Sequence, residues 1–319
     1  MTGATRKIVS AMLLGVLLYG AYIAYTGFSA IAESLGTFHW VAFFLAVCLA
    51  TLNYLLRFLR WEIYLGILGI KIPKVDSLLA FLSGFVLTVT PGKVGEVFKS
   101  AILSQTHGIP IARTAPIVIA ERLSDLIGVV LLIVLGSAGF ASGLPWAIAG
   151  TVVVLVGLAL IVWEKPLELA LGFVQRHPRF GRFEPKLREA VTSLRLLCRP
   201  STLGPPLVLS VLAWASEGVA LWVLLKGFGA PAPLVLSVFF YETASLAGAL
   251  IPVPGGLGVV ETMLREQLVM LGGVAKATAT ASMILVRFAT LWWAVLVGFI
   301  ALGILRRRHA VLGAAPVTP

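Results

Sequence analysis

Hydrophobic positions along the chain fall into long runs separated by short polar stretches, most of them basic. Six runs approach the roughly 20 residues that cross a bilayer as a helix: residues 8–30, 39–56, 115–139, 145–163, 205–226 and 278–305. Two more, 75–105 and 233–271, are interrupted at their centres by Pro91-Gly92-Lys93-Val94-Gly95-Glu96-Val97 and Pro254-Gly255-Gly256-Leu257-Gly258-Val259-Val260. Each interrupted run leaves two arms of about 15 residues, too short to cross but suited to a hairpin that enters and leaves on one side. The alternating polarity of barrel strands, in segments of about ten residues, is missing. The pattern predicts an all-α integral membrane protein with about six full transmembrane helices and two re-entrant helical hairpins.

The two interruptions share the form P-G-x-aliphatic-G-x-V, and each is followed about thirty residues later by an arginine inside an apolar run, Arg122 or Arg287. A duplicated helix break and a duplicated intramembrane charge predict an internal repeat. The expected divisions are an N-terminal transmembrane helix (1–35) and a first repeat (36–140) with its hairpin at 75–105. A helix and basic loop (141–204), a second repeat (205–305) with its hairpin at 233–271, and a tail (306–319) follow.

Composition agrees with this class. Hydrophobic residues make up 59% of the chain and charged residues 12%, with mean hydropathy +1.00. A soluble core would need far more polar surface to cover it. The net charge of +11 sorts into Arg6/Lys7, Arg57/Arg60/Lys71/Lys74, the 164–203 loop and Arg306-Arg307-Arg308. Basic residues collect in cytoplasmic loops, so the charge orients the chain with both termini cytoplasmic and calls for no nucleic acid. In this topology the repeats are inverted and their hairpins dip in from opposite sides. Arg57, Arg60 and Trp61 close the second run and read as interfacial anchors.

Within the runs, Glu121-Arg122-Leu123-Ser124-Asp125 stands out. Asp125 lies roughly 15 Å into its span at 1.5 Å per residue, close to the bilayer midplane. Charges at that depth point into the helix bundle and are functional by default. Arg287, at similar depth from the other side, needs Glu217, Glu242, Glu261 or Glu266 as partner, or an anionic ligand. An arginine grips a phosphate through two parallel hydrogen bonds, which makes Arg122 and Arg287 the leading head-group contacts. Gly92, Gly95, Gly255 and Gly258 permit close backbone approach, and the helix after each turn offers free N–H groups to an anion. Lys93 and Lys99 reinforce the first seat. Glu96, Glu121, Asp125 and Glu261 are the expected charge partners.

Catalytic and metal signatures are missing. The only aspartates are Asp76 and Asp125, and the cysteines Cys48 and Cys198 have no CxxC or histidine companion. The expectation is no metal, no cofactor and no enzymatic constellation.

The two Pro-Gly motifs, with Lys99 after the first, Pro252 before the second and Glu261 after it, and the Glu121–Asp125 segment resemble the lysylphosphatidylglycerol synthase transmembrane, flippase-like family from about Gly36 to Gly303. That resemblance implies the flippase part of multiple peptide resistance factors, which moves aminoacylated phosphatidylglycerol between leaflets, without the aminoacyl-transferase domain. Other members of this family stand beside genes of glycolipid, cardiolipin or hopanoid metabolism. The resulting expectation is a flippase of the bacterial inner membrane for an anionic phospholipid or a polyprenyl-phosphate-linked glycolipid. A secondary transporter of a small solute, and a scaffold for a lipid-synthesis enzyme, remain alternatives.

Overall fold

The computed structural model describes residues 34–89, 95–137, 184–230, 232–251 and 253–313, with positions 20, 145, 148–152 and 156 between them. The first expected span, most of the fourth, the turn holding Gly92 and Lys93, the surroundings of Gly95 and the side chain of Glu96 lie outside the described residues. Every regular element among the described residues is helical. In chain order they are α1 (Trp40–Ile67), α2 (Lys74–Ser83, prolonged by a 3-10 turn Gly84–Leu87), α3 (Gly95–His107) and α4 (Ile111–Ser137). Then come α5 (Glu184–Leu197), α6 (Pro200–Gly227), α7 (Leu234–Leu250), a 3-10 turn Pro254–Gly256 and α8 (Val259–Met270). The chain closes with α9 (Lys276–Arg287), a π segment Phe288–Trp292 and α10 (Trp293–Gly313).

Two helix ends are built alike. Gly69 and Gly229, 160 positions apart, take φ of 65° and 69°. In each case the following N–H closes the helix, Ile70 onto Leu65 O and Ala230 onto Leu225 O, both at 2.9 Å. This is the left-handed C-terminal cap that glycine makes without Cβ strain. Pro73 and Pro233 then stand before α2 and α7. The order long helix, short helix, break, short helix, arginine-bearing helix therefore occurs twice, as α1–α4 and α6–α9.

The long helices of the two halves pack against each other in opposite directions. At one end the His39 N–H reaches Gly227 O (3.1 Å), and farther along Asn53 Nδ2 donates to Ala213 O (2.8 Å). Ala42, Ala46 and Ala50 form a buried small-residue stripe on α1, which lets the helix axes approach closely where lipid supplies no hydrophobic drive. The start of α2, the end of α3 and the end of α10 meet at the far end of α1. There Asp76 pairs with Arg308 (2.8 Å) and with His107 (3.5 Å), and Arg113 donates to Leu68 O (2.7 Å). α7 starts at the opposite end, after Gly229, and pairs with α8 through Gln267 Nε2 to Thr243 Oγ1 (2.9 Å).

Two buried cores form, each drawing residues from both halves of the chain. One gathers Trp61, Tyr64, Phe81, Leu103 and Ile117, the other Leu224, Phe240, Leu264 and Met283. Outside, Trp40, Phe44, Leu52, Leu55 and Leu59 leave α1 with an exposed apolar face suited to lipid. Trp40–Ile67, Ser201–Gly227 and Lys276–His309 are long and apolar enough to cross a membrane. α4, at 27 residues, matches them in length but carries charge at its centre.

The second predicted span ends too early. α1 continues eleven residues past Leu56, to Ile67. Asn53, Tyr54, Arg60, Trp61 and Tyr64 are all buried, at the spacings of three, four and seven that keep residues on one helix face. Arg60 and Trp61 therefore lie in the protein interior and are not interfacial anchors.

Candidate functional site

Arg60 has no exposed surface and binds Asp125 of α4 through both guanidinium ends, Nη1 to Oδ1 and Nη2 to Oδ2 (3.3 Å). Nη1 also reaches Ser210 Oγ of α6 and Ser124 Oγ (3.2 Å), and Ser210 bonds back to Asp125 at 3.1 Å. α6 comes this close because α4 has a glycine there: a Cβ on Gly128 would lie 3.3 Å from Ser210 Cβ. Arg57, one turn earlier on α1, holds Nη2 3.8 Å from Asp125 Oδ2. Lys99 of α3 binds Glu121, with its ammonium 4.3 Å from the centre of the Trp61 ring. A buried charge is tolerated when it is paired and hydrogen-bonded, and this network joins α1, α3, α4 and α6.

In the second half Glu261 does two jobs. Oε1 takes the Nε–H of Arg287 at 2.6 Å, while Oε2 takes the Gly258 N–H at 2.7 Å and so caps α8. Arg287 Nη2 donates to Gly255 O (2.7 Å). Gly255, Gly256 and Gly258 have φ of 62°, 68° and 85°, a turn that side-chain-bearing residues could adopt only with strain. The free N-terminal seat expected at α8 is therefore filled by the chain's own carboxylate. A helix N-terminus favours negative charge, and Glu261 lies within reach in the first turn.

These elements enclose an open cavity with about 900 Å3 of empty space. Its polar wall is Tyr54 and Arg57 from α1, Arg122 from α4, Glu217 from α6, Tyr241 from α7 and Arg287 from α9, with Gly255 and Gly256 at the turn. Tyr241 donates its hydroxyl to Glu217 Oε2 (2.6 Å), and Tyr54 donates to Thr290 O (2.6 Å) in the π segment. A second cavity of about 630 Å3 adjoins the first and shares Arg122 and Trp214. Leu126, Val129, Ala249, Leu246 and Leu250 make its walls mostly apolar, with Asp125 and Ser245 the other polar residues lining it. Arg122 thus stands where a polar chamber meets an apolar one.

Of the residues singled out from the sequence, Arg122, Arg287 and Gly255 line the main cavity. Lys99 lies behind it in its ion pair with Glu121. Among the acids expected to partner Arg122 and Arg287, Glu261 holds Arg287, Glu121 holds Lys99, and Asp125 holds Arg60. The sequence reading passed over Arg57, Tyr241 and Glu217 as wall residues. Arg57 and Glu217 are separated by the same 160 positions as Gly69 and Gly229, a spacing that would have paired them. Among the described residues, no three His, Cys, Asp or Glu side chains converge as a metal ion requires.

Over residues 12–298 the sequence matches the family described as the lysylphosphatidylglycerol synthase TM region. A UPF0104 membrane protein of Methanothermobacter thermautotrophicus is 24% identical over 306 residues, 88% of this chain and 90% of the relative. One of Methanocaldococcus jannaschii is 24% identical over 231 residues, 70% of this chain and 95% of the relative.

Proposed function

The chain belongs to the lysylphosphatidylglycerol synthase TM-region family, and on that premise we propose that it moves an anionic lipid between the leaflets of its membrane. The observation that carries this reading is the cavity pair: Arg122 and Arg287, at corresponding places in the two repeats, line one polar chamber, and an apolar chamber opens beside Arg122. A phosphate head group fits the first and an acyl or prenyl tail the second. A small soluble solute has no use for the apolar neighbour, so the arrangement favours a lipid.

In this reading Arg122 and Arg287 hold the phosphate, Arg57 adds a third cation, and Gly255 and Gly256 let the head group approach the backbone. Arg287 is already bound to Glu261 and Gly255 O, so an arriving phosphate competes with those bonds and loosens the turn. α2–α3 and α7–α8 act as re-entrant hairpins. The Asp76–His107 contact supports this for the first, since it brings the start of α2 to the end of α3. The opposed packing of α1 and α6 supports an inverted repeat, which gives alternating access because either half can open. Lys71 and Lys74, past the end of α1, and Arg306, Arg307 and Arg308 of α10 face the cytoplasm of a bacterial inner membrane. Transport proceeds without a covalent step.

The test is translocation of head-group-labelled lipid by the purified protein in vesicles, read by quenching the outer-leaflet label. Movement of anionic but not zwitterionic lipid, lost in Arg122→Gln and Arg287→Gln proteins that still fold, is the expected outcome. Unchanged movement in both variants would remove the arginines from the site.

A further inference from the structure

Glu217 of α6 is only 8% exposed and lines the cavity it shares with Arg57, Arg122 and Arg287. Its two carboxyl oxygens are treated differently. Oε2 takes the Tyr241 hydroxyl at 2.6 Å, while Oε1 accepts no hydrogen bond among the described residues. A buried acceptor left without a partner is costly, and this one stands on a cavity wall. Two of the three arginines do not need it as a counter-ion: Arg287 has Glu261 at 2.6 Å, and Arg57 has Asp125 at 3.8 Å.

The two halves of the chain differ here. At the places 160 positions earlier, the separation of Gly69 from Gly229, the first half has Arg57 for Glu217 and Phe81 for Tyr241. The acid and the hydroxyl that orients it therefore come as a set, in the second half. One half adds a cation to the cavity and the other adds an acceptor. A phosphodiester carries acceptors alone, so it suits the guanidinium groups and is repelled by Glu217. The part of a ligand that meets Oε1 must carry an O–H or N–H. An ammonium there would share the cavity with three guanidinium groups of its own sign, whereas a hydroxyl donates without charge.

We propose that Glu217 determines the specificity of the site, selecting lipids whose head group bears a hydroxyl beyond the phosphate, as a glycerol or a sugar does. This role rests on the transport reading above. With the phosphate on the arginines, the hydroxyl donates to Glu217 Oε1. Tyr241 is a positioning residue: by holding Oε2 it fixes the carboxyl group and leaves Oε1 for the head group. A site built around such an acceptor rejects an analogue that lacks the hydroxyl, because the acceptor is then stranded.

The experiment compares two acyl-labelled lipids in vesicles holding the wild-type chain, reading leaflet exchange by quenching. Phosphatidylpropanol has the charge and carbon chain of phosphatidylglycerol without its hydroxyls. Phosphatidylglycerol should move at least about tenfold faster. In Glu217→Gln, Tyr241 takes the one amide oxygen and leaves an NH2 group for the head group, so the preference should vanish while phosphatidylpropanol keeps its rate. Tyr241→Phe should narrow the preference. Phosphatidylinositol is the sugar-like arm: moving faster than phosphatidylglycerol, it places a ring polyol at Glu217, and moving slower, a glycerol, with the hydroxyl preference upheld in both cases. Equal wild-type rates for phosphatidylglycerol and phosphatidylpropanol, both lost in Arg122→Gln, would overturn the selection and leave the transport reading standing. So would equal slowing of both by Glu217→Gln, the mark of a plain counter-ion, or phosphatidylethanolamine outrunning phosphatidylglycerol, the mark of an ammonium. If no lipid moves, the transport reading fails and binding decides the site on its own. Native mass spectrometry should then show phosphatidylglycerol retained over phosphatidylpropanol by the wild-type chain and not by Glu217→Gln, and equal retention by the wild-type chain would overturn it.

Discussion

Asp125→Asn isolates a fully buried charge, that of Arg60. Arg60 has no exposed surface, and among the described residues Asp125 is the carboxylate that binds it, through both oxygens. Asparagine keeps the shape and one acceptor, so the Ser124 and Ser210 bonds survive while the charge on Arg60 loses its counter-ion. Stranding a buried charge costs about 3–5 kcal/mol. For a chain of this size, at about 2 °C per kcal/mol, the unfolding midpoint should fall by roughly 6–10 °C. Lys74→Ala is the control. Its ion pair with Glu62 has a 78% exposed lysine side chain, and such a pair contributes less than about 1 kcal/mol. The assay is thermal unfolding in detergent, followed by loss of the monodisperse chromatographic peak. A double variant, Arg60→Met with Asp125→Leu, should recover most of the loss, because apolar residues of similar volume replace a buried pair at little cost. Equal midpoints for Asp125→Asn, Lys74→Ala and wild type would refute the claim that this pair joins α1 to α4.

Three further outcomes are expected. Arg122→Gln should cut lipid translocation more than tenfold while shifting the midpoint by less than a third of the Asp125→Asn effect, measured on the same preparations. Gly218→Val should cost about 1–3 kcal/mol, because a Cβ at Gly218 already meets Val238 Cα at 2.9 Å; the unfolding midpoint reads it. Burial pushes the Cys198 thiol up to about 11 from the ordinary value of 9.0. In a Cys48→Ala background, a water-soluble maleimide should therefore label Cys198 about a hundredfold more slowly at pH 7 than an ordinary thiol, with the rate climbing as pH approaches 11. Fast labelling at pH 7 would contradict the burial.

Much of the fold was legible because the membrane enforces simple rules. Run length, Pro-Gly interruptions and basic stretches located α6, α7 and α8 to within a few residues. The misreading of α1 shows where those rules stop. Hydropathy falls at Arg57 and Arg60, so a window that weighs each residue by polarity ends the span there, although the helix continues and turns Arg60 into the bundle. What keeps it helical is a partner 65 positions away on α4, which local composition does not register. Arg287 had four acids to choose from, and the one it uses, Glu261, is also the residue placed to cap α8. Hydrogen-bond geometry at the turn decides that, and hydropathy carries no trace of it. Glu217 was read only as a possible partner of Arg287, because an isolated glutamate in an apolar run gives no pattern; its place on the cavity wall, bonded to Tyr241, is what the structure adds.

The seat of the head group is best tested by photocrosslinking. A phospholipid bearing a photoreactive head group, activated in vesicles with the wild-type chain, should label peptides of α4 around Arg122, of α7 around Ser245, and of the Gly255–Gly256 turn. Arg122→Gln should abolish that labelling. Label found only on outward apolar faces, such as Trp40 and Phe44 of α1, and unaffected by Arg122→Gln, would contradict the assignment of the arginine-lined cavity to a lipid.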